Sequence, residues 1–223
     1  MRPSQAPSHR YATPKLPITN EALDNLIQIG QLVLVNQPTP WIFYMVVRDQ
    51  RTATANKPDK VRICLHPSQT VNKAIIRPVY SIPSREENIH RFHQAKIFFV
   101  FDIKDAFQTI ELTLESSVLT TIYTPWGRYR WTPLPFGIGS APEQFHRRLY
   151  DVLGGMKGVV NIADDIIVIG QGECLEYITK DHDRTILNLQ ARLSQHNLKL
   201  NPHKIQFKNE RHRSWTTCHP RGT

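Results

Sequence analysis

Cysteine is scarce in this chain. Cys64, Cys174 and Cys218 are the only three in 223 residues, they lie far apart, and none forms a CxxC pair. That spacing argues against a disulfide framework and against a thiolate zinc site. No apolar run approaches the ~18 residues that a membrane span needs. The polar N-terminus, MRPSQAPSHRYATPK, lacks the apolar centre of a secretory signal. The expectation is a soluble, intracellular chain, in cytoplasm or nucleus, with no membrane partner. There is no internal repeat and no low-complexity run. The GxG at Gly137-Ile138-Gly139 does not follow the strand-to-helix pattern of a dinucleotide fold, so it reads as a turn. Acidic residues are the minority, 19 Asp and Glu against 28 Lys and Arg, a formal charge of +9.

What is present is a globular composition, 40% hydrophobic and 21% charged, long enough for one sizeable domain or two small ones. The excess of base suggests a polyanionic partner, most simply nucleic acid, although a basic balance alone is also common in proteins with no such partner.

Residues 1–20 have no hydrophobic period and read as a flexible basic arm. In NEALDNLIQIG, Asn20 can cap a helix with an apolar face of Leu23, Leu26 and Ile27, stopped by Gly30. QLVLV is a strand. WIFYMVV (41–47) and KVRICL (60–65) make a hairpin with a long polar tip. Arg48, Arg51, Lys60 and Arg62 on that hairpin form either a phosphate grip or a solvated loop. PSREENIHRF carries a capping-box pattern, Ser84 with Glu87. In KIFFVFDIKDAF the apolar run Ile97–Phe101 is continuous, as in a strand covered on both faces, and Asp102 ends it. Residues 118–137 read as two strands around a P-W-G turn, then a loop. SAPEQFHRRLYDVLGG is a helix capped by Ser140. DHDRTILNLQARLSQHN (181–197) is an amphipathic helix with Ile186, Leu189 and Leu193 on its apolar face. LKLNPHKIQF closes the regular pattern. Antiparallel strands packed by helices on one face make an α+β domain.

The stretch GVVNIADDIIVIG places Asp164 and Asp165 side by side between two strand-like runs. Adjacent aspartates suit a hairpin turn. They also suit a divalent metal site, particularly if Asp102 converges on them, since oxygen ligands suit Mg²⁺ and paired ions clamp an in-line phosphoryl displacement.

The blocks PTPWIFYMVV, VRICLHPSQTVNKAI, FFVFDIKDAFQTIEL, LTTIYTPWGRYRWTPLPFGIGSAPEQFHRRL, GVVNIADDIIVIG and HNLKLNPHKIQF together resemble the reverse transcriptase domain of gypsy-type LTR retrotransposons and retroviral-like Pol polyproteins, over residues 21–210. The resemblance implies an α+β fold of polymerase fingers and palm, with an antiparallel palm sheet backed by helices. It divides the chain into fingers (21–95), a palm strand with the first catalytic Asp (96–111), fingers strands (112–135) and palm with the Asp-Asp hairpin (136–210). It implies RNA-directed DNA polymerase activity on an RNA or DNA template with a primer and dNTPs, supported by two Mg²⁺ ions, with Mn²⁺ as the alternative.

By position, Asp102, Asp164 and Asp165 resemble the catalytic, metal-binding acids. Arg62 resembles the arginine that stacks on the incoming base and touches its phosphates. Phe107 resembles the aromatic residue under the sugar that selects dNTPs, or else is an ordinary core Phe. Phe136 and Gly137, in LPFG, resemble the loop under the nascent pair. Lys204 falls near the lysine that protonates leaving pyrophosphate, or is a solvated lysine. Arg48, Arg51, Lys60, Arg147 and Arg148 are expected to line a basic nucleic-acid channel.

Several departures qualify the likeness, among them a one-residue insertion in CLHPSQTVNKAI and a longer fingers hairpin tip. Ile162 stands where the family has Tyr, His66 where it has Asp, and after KIQFKNE the expected primer-grip strand and thumb give way to a non-family tail, 211–223. Two expectations therefore stand: a partial polymerase, or an element-derived remnant without catalysis, at most a nucleic-acid-binding protein or without function.

Overall fold

Proline at the start and glycine at the end bracket the first helix, as their backbone chemistry requires. In the computed structural model, which describes residues 15–50, 60–67, 71–77, 80–83, 87, 95–162, 165–171 and 174–209, α1 (Leu16–Gln28) has Pro17 in its first turn. It therefore begins before Asn20, the expected cap, which lies inside the helix and donates to Asp24 Oδ2 at 3.2 Å. Residues 16–20, expected in the basic arm, are therefore helical, and residues 1–14 lie outside the described residues. Gly30 takes φ 74°, a left-handed conformation that suits a residue without Cβ.

The chain continues through β1 (Leu32–Leu34), β2 (Phe43–Gln50), β3 (Lys60–Leu65), α2 (Val71–Ala74) and β4 (Ile97–Asp102). Then come α3 (Leu114–Val118), β5 (Ile122–Thr124), β6 (Gly127–Trp131), α4 (Ala141–Leu153), β7 (Val159–Ile162), β8 (Asp165–Gly170), α5 (Leu175–Gln195) and β9 (Gln206–Asn209). Ser84 of the expected capping box lies outside the described residues.

The chain divides into two compact units, Met1–Pro78 with Phe107–Ala141, and Val79–Ala106 with Pro142–Thr223. The first holds a five-stranded sheet in the order β1-β6-β5-β2-β3. The expected β2–β3 and β5–β6 hairpins are both present, joined by a parallel β2–β5 pair. Side chains alternate across a strand, so one face carries Leu32, Phe43, Met45, Ile63, Leu65, Ile122, Tyr129 and Trp131, packed with Leu23 of α1 into one core. Phe43 and Trp131 are at most 1% exposed. Burying a side chain of this kind contributes about 1.5–3 kcal/mol or more.

The second unit holds an antiparallel sheet, β7-β8-β4-β9. Helix α5 crosses it, with the His182 ring 4.6 Å from Phe99. It approaches closely because β8 ends in glycine: a Cβ at Gly170 would meet Ile178 Cγ2 at 2.8 Å and His182 Cβ at 3.2 Å. The helix starts six residues before Asp181, the expected start. Its buried stripe is Ile178, His182, Thr185, Leu189 and Leu193, and two of those five are polar, which hides the first turns from a hydrophobic-period reading. Strand β4 is less covered than its apolar run suggests. Ile97 and Phe101 are buried, but Phe98, Phe99 and Val100 are only partly so.

No described helix is long and apolar enough to cross a membrane. Cys64 is a free thiol.

Candidate active site and nucleic-acid interface

In the four-stranded unit, β4 and β8 run antiparallel with Asp102 opposite Asp165, and β7 sets Ile162 opposite Asp165. Directly opposed residues project from one face with Cβ atoms about 4.5–5.5 Å apart. Two carboxylates and an isoleucine therefore share one end of one sheet face. Below them on that face, Ala95, Val160 and Ile169 form an apolar patch with Phe98, Ile162 and Ile167. The hairpin holding Asp165 has Ala163 and Asp164 between its last paired residues; Asp164 lies outside the described residues, so its place beside the other two acids is not described. Among the described residues no third acid, His or Cys joins the pair.

Asp102 is not bare. Lys204 Nζ donates to its Oδ1 at 3.1 Å and Asn201 Nδ2 to its Oδ2 at 3.4 Å. The Asn201 backbone N–H also donates to the Asp102 carbonyl at 2.8 Å. Asn201 was not singled out from the sequence. Its only local signal is the Asn-Pro pair, a turn-starting dipeptide. In the structure that signal is the cap of a 3₁₀ turn, Pro202–Lys204, where Asn201 Oδ1 accepts from His203 N at 3.2 Å. Asp165 has no cationic side-chain partner among the described residues.

In the five-stranded unit a second group forms. Arg62 lies with its guanidinium carbon 4.6 Å from the Phe136 ring centre, and Phe107 packs on Phe136 at 5.3 Å and 58°, a tilted aromatic pair. Phe107 comes from a 3₁₀ turn, Ala106–Thr109. The loop carrying Phe136 is bonded to the end of β3, where Leu65 N–H donates to the Phe136 carbonyl at 3.0 Å. Gly137 permits that approach. It has φ 112°, and a Cβ there would collide with the Leu65 carbonyl oxygen. Asn72 clamps the same loop, donating to Gly137 O at 2.9 Å and accepting from Gly139 N at 2.9 Å. Arg77 adds a bond to Gly139 O at 2.7 Å. Neither Asn72 nor Arg77 was legible as a site residue, because each acts on a loop far along the chain.

The basic residues also follow the strand period. Arg48 is directly opposite Arg62, Tyr44 is opposite Tyr123, and Tyr123 is opposite Arg128. All five belong to the sheet face away from the Leu32–Trp131 core. Like charges directly opposed are destabilising. Cys64 shares this face. Burial pushes its thiol pKa up, against a smaller downward pull from Arg62 and Arg48. Of Lys60 only the backbone is described, opposite Gln50, and Arg51 lies outside the described residues.

Arg147 and Arg148 sit on α4, in the other unit. Arg147 is exposed. Arg148 donates to His196 O at 3.2 Å, at the C-terminal end of α5, where a cation suits the exposed carbonyls. A cavity of about 500 Å³ between Gly155–Lys157 and α5 contains none of these residues.

The sequence pattern of the family described as reverse transcriptase (RNA-dependent DNA polymerase) matches residues 53–217. The chain is 30% identical over 140 residues to an enzymatic polyprotein of cauliflower mosaic virus (strain CM-1841), covering 62% of this chain and 20% of that protein. It is 30% identical over 139 residues to a retrovirus-related Pol polyprotein from transposon 412 of Drosophila melanogaster, covering 61% and 11%. The foamy viral protease-reverse transcriptase dRH, solved in complex with double-stranded DNA, superposes with TM-score 0.76 at 18% identity, covering 92% of this chain and 34% of that one. The chain thus spans about a fifth of the viral polyprotein and a third of the structural relative. The fold it shares with that relative is the α+β fingers-and-palm arrangement of reverse transcriptases.

Proposed function

Because this chain belongs to the reverse transcriptase (RNA-dependent DNA polymerase) family, we propose that it carries the nucleotidyl-transfer part of an RNA-directed DNA polymerase. It adds deoxynucleotides to a primer 3′-hydroxyl on an RNA or DNA template. The observation that carries this reading is Asp102 opposite Asp165. Two hard carboxylate donors at one sheet end fit a hard cation such as Mg²⁺ or Mn²⁺, and Asp164 is the third donor of the proposed set. When bound, two such ions activate the attacking hydroxyl and offset charge on the transferred phosphoryl group.

In this reading the four-stranded unit is the palm and the five-stranded unit the fingers, with boundaries where the chain crosses between them. Asp102 would hold a cation most directly together with Asp164, and Asp165 less directly; Asp102 and Asp165 are themselves fixed in place by the hydrogen-bonded ladder. Arg62 contacts the nucleotide phosphates, a task suited to a planar guanidinium, while Phe136 orients that guanidinium from one side. Phe107 stands against the sugar and rejects a 2′-hydroxyl by bulk. Phe136 and Gly137 lie under the nascent base pair. Arg48, Tyr44, Tyr123 and Arg128 offer charge and stacking surface to the nucleic acid, whose recognition is then largely insensitive to sequence.

The test is single-nucleotide addition to a labelled primer annealed to RNA, with Mg²⁺. The expected result is addition that Asp102→Asn abolishes while duplex affinity stays. A second reading, a nucleic-acid-binding chain without catalysis, is favoured by Ile162, which puts an alkyl group beside Asp165 where the family carries a phenol. Tight duplex binding with no Mg²⁺-dependent addition would select it.

A further inference from the structure

The 3₁₀ turn that carries Lys204 is fastened to β4 on both sides. Before it, Leu200 bridges Ile103, Lys104 N–H donates to Lys199 O at 2.8 Å and Asn201 N–H to Asp102 O at 2.8 Å. After it, β9 pairs with β4 from Gln206 opposite Val100. Asn201 caps the turn with Oδ1 and reaches Asp102 Oδ2 with Nδ2. The ammonium of Lys204 therefore meets Asp102 through a constrained backbone, even though its side chain is 61% exposed and that of Asp102 23%.

The electrostatics give this contact a consequence. Asp102 and Asp165 repel across the ladder. Lys204 is the only cation on Asp102 among the described residues. Its ammonium takes Oδ1 and the Asn201 amide takes Oδ2, so a cation held by Asp102 would have to compete with a charged donor for the carboxylate. We propose that Lys204 is a built-in counter-ion of the acid pair, which competes with the divalent cation for Asp102 and swings away when that cation binds. This rests on the metal reading above. Lys204 then lowers the metal affinity of the site, and it stabilises the acid pair whenever no metal is bound.

The test needs no catalysis. Free Mn²⁺ is followed by electron paramagnetic resonance while the full chain is titrated at low ionic strength. Lys204→Gln is expected to bind Mn²⁺ about fivefold more tightly, the upper range for an exposed ion pair. Lys204→Arg, which keeps the charge, is expected to stay near wild type. The gap should shrink at high salt as the ammonium is screened. In chelator, Lys204→Gln should unfold at lower urea than wild type, and with saturating Mn²⁺ that difference should vanish. Equal or weaker Mn²⁺ binding by Lys204→Gln would overturn the counter-ion role while leaving the metal site standing. Wild-type binding that Asp102→Asn does not alter would overturn the metal reading and this inference together.

Discussion

Asp102 and Asp165 are direct partners across the β4–β8 ladder, so two negative charges occupy neighbouring positions on one sheet face. A sheet optimised only for stability does not place like charges this way. The arrangement therefore costs folding free energy, which Lys204 on Asp102 offsets only in part.

The cost is measurable. Asp165→Asn keeps the side-chain shape, removes one charge and leaves the Lys204–Asp102 pair intact. In chelator it should raise the urea midpoint by an amount equivalent to about 0.2–1 kcal/mol, while weakening Mn²⁺ binding. Equilibrium unfolding with and without metal reads both. A less stable variant in chelator would contradict the repulsion argument.

Gly137→Ala should destabilise the five-stranded unit. Its φ of 112° is unfavourable for any residue with a Cβ, and that Cβ would meet the Leu65 carbonyl. The expected loss is about 1–3 kcal/mol for the backbone alone, with more from the collision. Gly139→Ala is the internal control. A Cβ there comes no closer than 3.5 Å to Asn72, so urea unfolding should find it far milder.

Arg62 and Phe136 should be coupled. A cation over an aromatic face at an exposed site contributes roughly 0.5–1 kcal/mol, and a double-mutant cycle isolates that term. Arg62→Met, Phe136→Leu and the double variant, compared by dNTP affinity, should be non-additive by about that amount. Additive losses would mean that the stack does not orient the guanidinium.

Arg48→Gln should lower duplex affinity at low salt and reduce the slope of log affinity against log salt by about one unit. It should leave the stability of the fold unchanged or slightly raised, since it removes a like-charge pair with Arg62. Fluorescence anisotropy over a salt series, beside a urea melt, separates the two effects.

Cys64 gives a pH prediction with a definite sign. Burial raises its thiol pKa, so the folded state favours the protonated thiol. The associated stability is complete below the pKa of an unfolded cysteine and is lost as pH rises through the folded value. Alkylation of Cys64, followed by mass spectrometry, should accelerate only at pH above that of a free cysteine. Cys64→Ala should flatten the alkaline fall in stability.

Much of this protein is written in short-range pattern. The runs WIFYMVV and KVRICL announce the β2–β3 hairpin, and GVVNIADDIIVIG announces β7–β8, because strand period and turn chemistry are local properties. The apolar run ending in Asp102 identifies β4 for the same reason. What the tertiary structure alone decided is which distant segments meet. The parallel pairing of β2 with β5, the Asn72 clamp on Gly137 and Gly139, and the closure of Lys204 on Asp102 across 102 residues leave no trace in residue spacing. Such contacts repay loop-closure entropy only once the whole sheet has formed. The early start of α5 was hidden too, since His182 and Thr185 are buried on a stripe that period analysis expects to be apolar. Sequence by itself determined that acids end a buried strand and a hairpin. Folding decided that Asp102 faces Asp165, because antiparallel register, set by the burial of Ile166 and Val168 on the opposite face, fixes which side chains stand opposite one another.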